Sequence, residues 1–462
     1  MIAGLVVFAG FVVWQQLMPA AFDSIRGINP RAAAEWRARF HLPAIALSLR
    51  GYDACFQALQ VLSWVAYGVL VALVHRGARF SDAWTWRLAT PLVVAVAVAM
   101  PASLSADPFA YVGYGRLAVV HGLNPHVATQ VDLVRLGDPT TPYLHWPIAS
   151  PYGPLWTALS IAVVAAAERL SPGAVWGPVL VFKLIAAAAV LGLAAATRLL
   201  VQRSDQPARA NATFVLIATN PLLLCEGPGN GHNDLVMMAL AMAGFVVWLN
   251  PAGSPWKGPR AALIFGVAAA VKVIPLLVLP WLLLTTARAR APMRALQLGL
   301  VALLGLAPIA LAYTPFWAGG KALVGLSERW RTADEAARMQ EQTSASAVAS
   351  AATKTAAASH PPAPLTLARV GLMAGRTWFA LLVYAVATAL IFRRALDPLL
   401  PLTAWVYVSS SVMLFVAGLW FPWYLSWPWP AVLARGTRQH QFLLLMLFLF
   451  SFLLMMVYGV VP

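Results

Sequence analysis

Eight stretches of this chain are apolar over nearly their whole length: 3–21, 55–75, 88–104, 174–197, 297–314, 369–391, 398–418 and 441–459. A helix needs about 20 apolar residues to cross the hydrocarbon layer of a bilayer. Inside that layer every backbone polar group must be satisfied within the chain, which favours helices for segments of this kind. The sequence therefore predicts an all-α, polytopic membrane protein, a single integral membrane domain over 1–462 with no soluble domain standing apart. With 61% hydrophobic and 10% charged residues, the chain lies far from soluble usage. No basic stretch precedes the first apolar run, so 1–21 reads as a span rather than a cleaved leader.

Charge sets the expected sidedness. The net charge of +16 is carried mostly by arginines in short connections: Arg76 and Arg79, Arg198 to Arg209, Lys257 with Arg260, Arg288 to Arg294, Arg393 with Arg394, and Arg435 with Arg438. Basic connections of this length mark a cytoplasmic face and speak against nucleic acid as a partner. That leaves 105–152, 226–233 and 315–366 on the outer face. Segment 261–287 is basic at both flanks, which predicts two short helices broken at "VKVIP" with Lys272 near the tip, because Pro275 lacks a backbone donor. Loop 22–53 falls outside despite five arginines, and 153–201 reads as two spans where parity needs one. One of those two is then a helix that does not cross, and the expected total is about 11 to 13 helices. Within 315–366, "SERWRTADEAARMQEQ" reads as a surface helix and the Ala/Ser/Thr-rich remainder as a mobile loop. Cys55 and Cys225 sit in apolar segments and read as buried thiols, and no metal-binding or nucleotide-binding pattern occurs.

Several polar constellations stand against this background. In "SADPFAYVGYGRL", Asp107 precedes Pro108 at the mouth of a span, and Tyr111, Tyr114 and Arg116 follow on a helix expected to rest on the membrane surface. Asp107 is either a helix cap or a carboxylate placed to take a substrate proton. "HGLNPHV…YLHWPIASPYGPLW" holds His121, His126 and His145, then Tyr152 and Trp156. Its histidines have no repeated ligand spacing, and its aromatic residues fit an interfacial belt or a sugar platform. "CEGPGNGHNDL" gathers Glu226, Asn230, His232, Asn233 and Asp234 between two apolar runs, either as a capped polar turn or as a ligand site. Lys272 is a lone cation in a 25-residue apolar stretch and must pair or snorkel; a lipid phosphate would suit it. "GLWFPWYLSWPWP" places Trp423, Tyr424 and Trp427 at a membrane boundary, as a belt or as a groove for a prenyl chain and sugar ring.

Taken in order, Asp107, "GLNPH", "SPYGPLW", "GNGHND", "VKVIPLLVLP" and "WYLSWPWP" resemble the GT-C superfamily of membrane glycosyltransferases, from about Ser105 to Pro430. Within it the chain is most similar to bacterial polyprenyl-phosphate-mannose-dependent α-mannosyltransferases of lipomannan-type glycolipids. The family pattern favours Tyr after "NP", where this chain has His126. The resemblance implies an inverting transfer at the non-cytoplasmic face of the cell membrane, with no metal and no cofactor. The donor is a sugar on a polyprenyl monophosphate, the acceptor a glycolipid or glycan. Asp107 matches the family's catalytic carboxylate in the first outer loop.

The charges fill the other expected roles. Lys272, Arg116 and His232 are the candidates for the donor phosphate, Arg for its bidentate contact. Tyr111, His126, Tyr152, Asn230, Asn233, Asp234, Trp423, Tyr424 and Trp427 are the candidate substrate contacts. A transporter or flippase of a polyprenyl-linked lipid would use the same cations without chemistry, but such proteins tend to show paired broken helices, and only one broken segment is evident here. An arabinofuranosyl, glucosyl or galactosyl donor would fit the same machinery as mannose.

Overall fold

The computed structural model describes residues 49–100, 104–144, 148–204, 206–251, 254–288, 293–323, 381–391, 399–412, 422–435 and 445–453, with a few single positions between them. The window at 3–21, His145 and residues 324–366 of the low-complexity loop lie outside the described residues, as do parts of the last three windows. Among the described residues there is no strand beyond one bridge between Ala318 and Gly320. The helices used below are α1 (Leu49–His75), α2 (Asp82–Ala99), α3 (Asp107–Val119), α4 (Gln130–Arg135), α5 (Pro154–Leu170), α6 (Trp176–Gln202), α7 (Ala210–Ala218), α8 (Pro221–Leu224), α9 (Asp234–Trp248), α10 (Lys257–Val271), α11 (Leu279–Arg288) and α12 (Arg294–Tyr313).

The protein is an all-α membrane protein. Among the described residues, three helical stretches are long and apolar enough to cross a bilayer: Gln57–His75, Trp176–Gln202 and Arg294–Phe316. Pro207–Ala218 and Pro221–Gly229 form a bent apolar pair meeting at 50°, either a broken span or a re-entrant loop, and a second break beside the single one the sequence makes evident at "VKVIP". Its bend has a local cause. Asn220 leaves the helix and its side chain accepts from the backbone N–H groups of Leu222 and Leu223, capping a new start at Pro221. Shorter apolar helices, α9 among them, complete the bundle.

The segment at 257–288 folds back on itself. α10 stops at Lys272, whose backbone is extended, and a 3-10 turn at Ile274–Val278 leads into α11. The two far ends meet: a Cβ built on Gly258 would stand 3.1 Å from Thr286 Oγ1. Lys272 thus sits at the tip of a helical hairpin, about 22 Å from the ends that carry Lys257, Arg260 and Arg288. The expected break at "VKVIP" is where the chain turns.

α5 starts on that tip. The Gly153 N–H donates to Val271 O at 3.0 Å, meeting one of the carbonyls that the end of α10 leaves open. A Cβ on Gly153 would stand 2.2 Å from Ala270 O, against backbone that cannot give way locally. Gly153→Ala is expected to force the start of α5 off the hairpin, at the upper end or beyond the ~1–3 kcal/mol usual for overpacking. Thermal unfolding in detergent reads this as a lowered midpoint and lost monodispersity; a wild-type profile would show the contact to be yielding.

The doubled reading of 153–201 resolves into α5 and α6. Both begin beside the first turns of α3: Trp156 and Phe182 pack on Tyr111 at 5.1 and 5.2 Å between ring centroids, and Trp176 packs on Phe109 at 5.4 Å. α5 and α6 therefore begin at the same end of the bundle; α6 is long and apolar enough to cross a bilayer, and α5, at 17 residues, is the shorter of the two.

α3 departs from expectation. It does not rest on a surface: 11 of its 13 residues are buried. The physical reason is Gly115, where a Cβ would come 2.5 Å from Val164 Cγ2 and 2.7 Å from Ser160 O, so α5 closes directly on the helix. α4 and the 136–144 turn cover it further, with Tyr143 stacked on Phe109 at 4.7 Å.

Candidate active site

Asp107 opens α3 and lies inside the helix, not at its cap. The capping position is Ala106 and no side chain caps the helix. The Asp107 backbone N–H donates to Ser105 Oγ at 3.1 Å, which leaves the carboxylate to face other partners. Its Oδ2 accepts from the Tyr111 hydroxyl one turn on, at 3.4 Å, and meets His232 Nδ1 at 3.1 Å. The Tyr111 hydroxyl in turn accepts from the Asn233 N–H at 3.2 Å, tying α3 to the start of α9 across 122 residues of sequence.

The His232 turn is built by the unusual segment that leads into it. Residues Cys225–Gly229 form a widened π turn containing Pro228, whose ring has no N–H to continue an α-helix. Asn230 N, Gly231 N and His232 N then bond back to Cys225 O, Gly227 O and Glu226 O at 2.8, 2.6 and 3.0 Å. Gly231 takes φ +69, a left-handed conformation that a side chain disfavours, and a Cβ there would meet Pro108 Cγ at 3.2 Å. The turn thus presses on the residue after Asp107. It presents His232 to Asp107 and places Asp234 one helical start further. Asn233 caps α9 by position but not through its side chain.

Lys272 arrives from the hairpin tip and binds Asp234 Oδ1 at 2.6 Å. Its ammonium lies 4.9 Å from the Tyr424 ring centre and 5.7 Å from that of Trp427, so the aromatic stretch near 422–427 forms its wall. Tyr152 reaches the same region, 4.8 Å from Tyr111. The structure therefore brings together Asp107, Tyr111, Tyr152, Asn230, His232, Asn233, Asp234, Lys272, Tyr424 and Trp427. The side chain of Trp423 lies outside the described residues.

Two candidates are placed elsewhere. Arg116 is nine residues along α3, about 13 Å from Asp107 by helical rise. Its Nε binds both Asp138 oxygens at 3.0 and 2.9 Å and its Nη1 binds Glu168. His121 Nε2 joins Asp138 Oδ2 at 2.8 Å. Burial opposes the Asp138 charge, but bonds from Thr140, His121 and Arg116 outweigh it and hold the carboxyl below its usual range. This knot fastens α3 to α5 and the 136–140 turn. His126 is held between Tyr313 and Phe316, at 5.4 and 5.1 Å, while Asn124 donates to Phe316 O at 2.8 Å. Burial pushes its imidazole down to about 4, so at neutral pH it is an uncharged packing group latching the 120–129 loop to the end of α12.

Lys183 is absent from the sequence candidates, although the rule that flags Lys272 applies to it equally: one cation in the apolar run of α6. It is fully buried behind the 226–234 turn. Its Nζ donates to Met100 O, and its Cγ is 3.3 Å from a Cβ built on Gly231.

Among the charged groups of this cluster, exposure separates two from the rest. The side chains of His232 and Glu226 are 0% exposed and that of Asp234 1%, while Asp107 keeps 10% and Lys272 9%. A proton acceptor and a cation are thus the two charged groups of this buried knot that keep a little exposure. Chemically, that pair suits a reaction in which a hydroxyl loses a proton while an anion departs.

A family model, MptA_B family, described as alpha-(1->6)-mannopyranosyltransferase, N-terminal domain, matches residues 9–288, more than half of the chain. The match takes in Asp107, the 226–234 turn and Lys272, and ends before the aromatic stretch at 422–427. No curated protein and no solved structure matches.

Proposed function

The chain belongs to the MptA_B family of alpha-(1->6)-mannopyranosyltransferases, and from that premise we propose that it transfers mannose with inversion from a polyprenyl monophosphate to a hydroxyl of a glycolipid or glycan, by an α-(1→6) linkage, on the non-cytoplasmic side of the membrane. The observation that supports this reading is that Asp107 and Lys272, alone among the charged groups of the buried cluster, keep some exposure. Asp107 takes the proton of the acceptor hydroxyl as its oxygen bonds to C1 of the sugar. The C1–O bond to phosphate breaks on the opposite face, and its electron pair stays on the lipid phosphate. Lys272, held by Asp234, offsets the charge that develops there. Tyr152, Tyr424 and Trp427 supply ring faces for sugar or prenyl chain.

Sidedness follows from charge. The ends of the hairpin carry Lys257, Arg260 and Arg288, which favour the cytoplasm. Its tip, with Lys272 and the site, then lies toward the opposite face, where a lipid-linked donor is within reach from the bilayer.

The test uses the purified full chain in nanodiscs with polyprenyl-phosphate mannose and a glycolipid acceptor. Donor consumption, release of polyprenyl phosphate and a new α-(1→6) bond by linkage analysis are expected. A donor moved between leaflets yet chemically intact would instead identify a lipid flippase. Parallel arabinofuranosyl, glucosyl and galactosyl donors fix the sugar.

A further inference from the structure

His232 stands between two carboxylates. Its Nδ1 is 3.1 Å from Asp107 Oδ2, and its Nε2 is 3.1 Å from Glu226 Oε2. Ionised carboxylates only accept hydrogen bonds, and a neutral imidazole has a single N–H; the imidazolium alone has one for each side. The two contacts differ in kind. The Asp107 contact is a hydrogen bond, whereas the Glu226 contact is close but off the hydrogen-bond line of Nε2. Glu226 therefore acts on the ring through charge more than direction.

Glu226 is itself fully buried. Its Oε2 accepts from Asn230 Nδ2 at 3.4 Å, and its Oε1 has no hydrogen-bond partner among the described residues. A buried carboxylate with half its acceptor capacity unmet is costly unless a cation lies against it. A protonated His232 supplies that cation, with Nε2 3.1 Å from Glu226 Oε2. The other charged or titratable groups around the ring are Tyr111 on α3, Cys225 in the π turn, Lys183 on α6, Asp234 on α9, and Lys272 with Tyr424 beyond Asp234.

We propose that Glu226 is a positioning residue: it holds His232 as an imidazolium, and His232 in turn holds Asp107 ionised and turned toward the acceptor hydroxyl. This rests on the reading of Asp107 as the base. It also gives His232 a role other than phosphate ligand, since both its ring nitrogens face carboxylates. During transfer the acceptor O–H bond breaks and its proton passes to Asp107, while His232 keeps both of its own. The protonated Asp107 then releases its proton to water when product leaves, and the cycle returns to its starting charge.

The experiment is turnover against pH for wild type, Glu226→Gln and His232→Gln, with the full chain in nanodiscs and polyprenyl-phosphate mannose as donor. Removing the negative charge at 226 makes both the imidazolium and Asp107 release protons at lower pH. The whole active window of Glu226→Gln is expected to move toward acid by about one pH unit or more, with donor KM unchanged. On the alkaline side that shift alone lowers turnover about tenfold per unit. His232→Gln cannot be protonated. Its alkaline limb is expected to vanish and its acid limb to move the opposite way, upward, because Asp107 then faces Glu226 with no cation between them.

Limbs that stay at their wild-type positions in either folded variant, whatever the amplitude, overturn the proposal. If one variant does not fold, the direction of shift in the other decides alone. Asp107→Asn separates the two layers. An active Asn variant removes the base itself, whereas an inactive one with unmoved limbs at 226 and 232 removes only the role of Glu226.

Discussion

Asp107→Asn is expected to lower mannosyl turnover by about 10²–10⁴, the contribution of a general base, while donor binding and fold are retained. The amide has the shape of the carboxylate, and its oxygen still accepts from the Tyr111 hydroxyl and from His232 Nδ1, at the present 3.4 and 3.1 Å. What it loses is the ability to take a proton. The fold has little else to lose here, because Asp107 caps nothing: the capping position is Ala106, and the bond to Ser105 Oγ is made by the Asp107 backbone N–H. The measurement is single-turnover transfer beside the donor Kd in the same nanodiscs. Wild-type turnover in the Asn variant would mean that another group takes the proton, and Asp107 would then serve only to orient His232.

What the sequence makes legible is whatever has a local cost. A charge in an apolar run is expensive wherever it ends up, so Asp107, the 226–234 turn and Lys272 stand out from the residues alone. The break at "VKVIP" is legible for a similar reason: Pro275 and two basic flanks are both local facts. Lys183 meets the same criterion, and applying it to every span finds it. Partner choice is different. Arg116 reads as a free phosphate ligand until Asp138 and Glu168 arrive from 22 and 52 residues away. His126 reads as a sugar contact until Tyr313 and Phe316 close over it, the same closure by which Asn124 reaches Phe316 across 192 residues. α3 reads as a surface helix because its own alternation of aromatic and polar residues is compatible with an interface. The burial that contradicts this comes from α5, through a glycine whose meaning depends on Val164 and Ser160.

Lys272 carries the other large effect, and its partner decides how the effect must be measured. Lys272→Ala by itself removes the cation 2.6 Å from Asp234 and leaves that carboxylate buried with a side-chain exposure of 1%. Breaking a buried pair from one side costs about 3–5 kcal/mol, enough to blur a binding defect with a folding one. Replacing both partners, Lys272→Met with Asp234→Asn, removes the two charges together and keeps similar volume between α9, the hairpin tip and the Tyr424 and Trp427 rings. The paired variant is expected to fold. Its donor affinity is expected to fall roughly ten- to hundredfold, the equivalent of a charge-assisted bond to phosphate worth about 1.5–3 kcal/mol, with acceptor affinity unchanged. Lys272→Arg keeps the charge, but a planar guanidinium cannot occupy the place of a compact ammonium between Asp234 and two rings, so its donor affinity is expected to lie between those of wild type and the paired variant. Direct titration of each variant with polyprenyl-phosphate mannose in nanodiscs reads the difference. An unchanged donor Kd in the paired variant would assign Lys272 to holding the hairpin tip against α9, and the cation for the departing phosphate would then have to come from elsewhere in the chain.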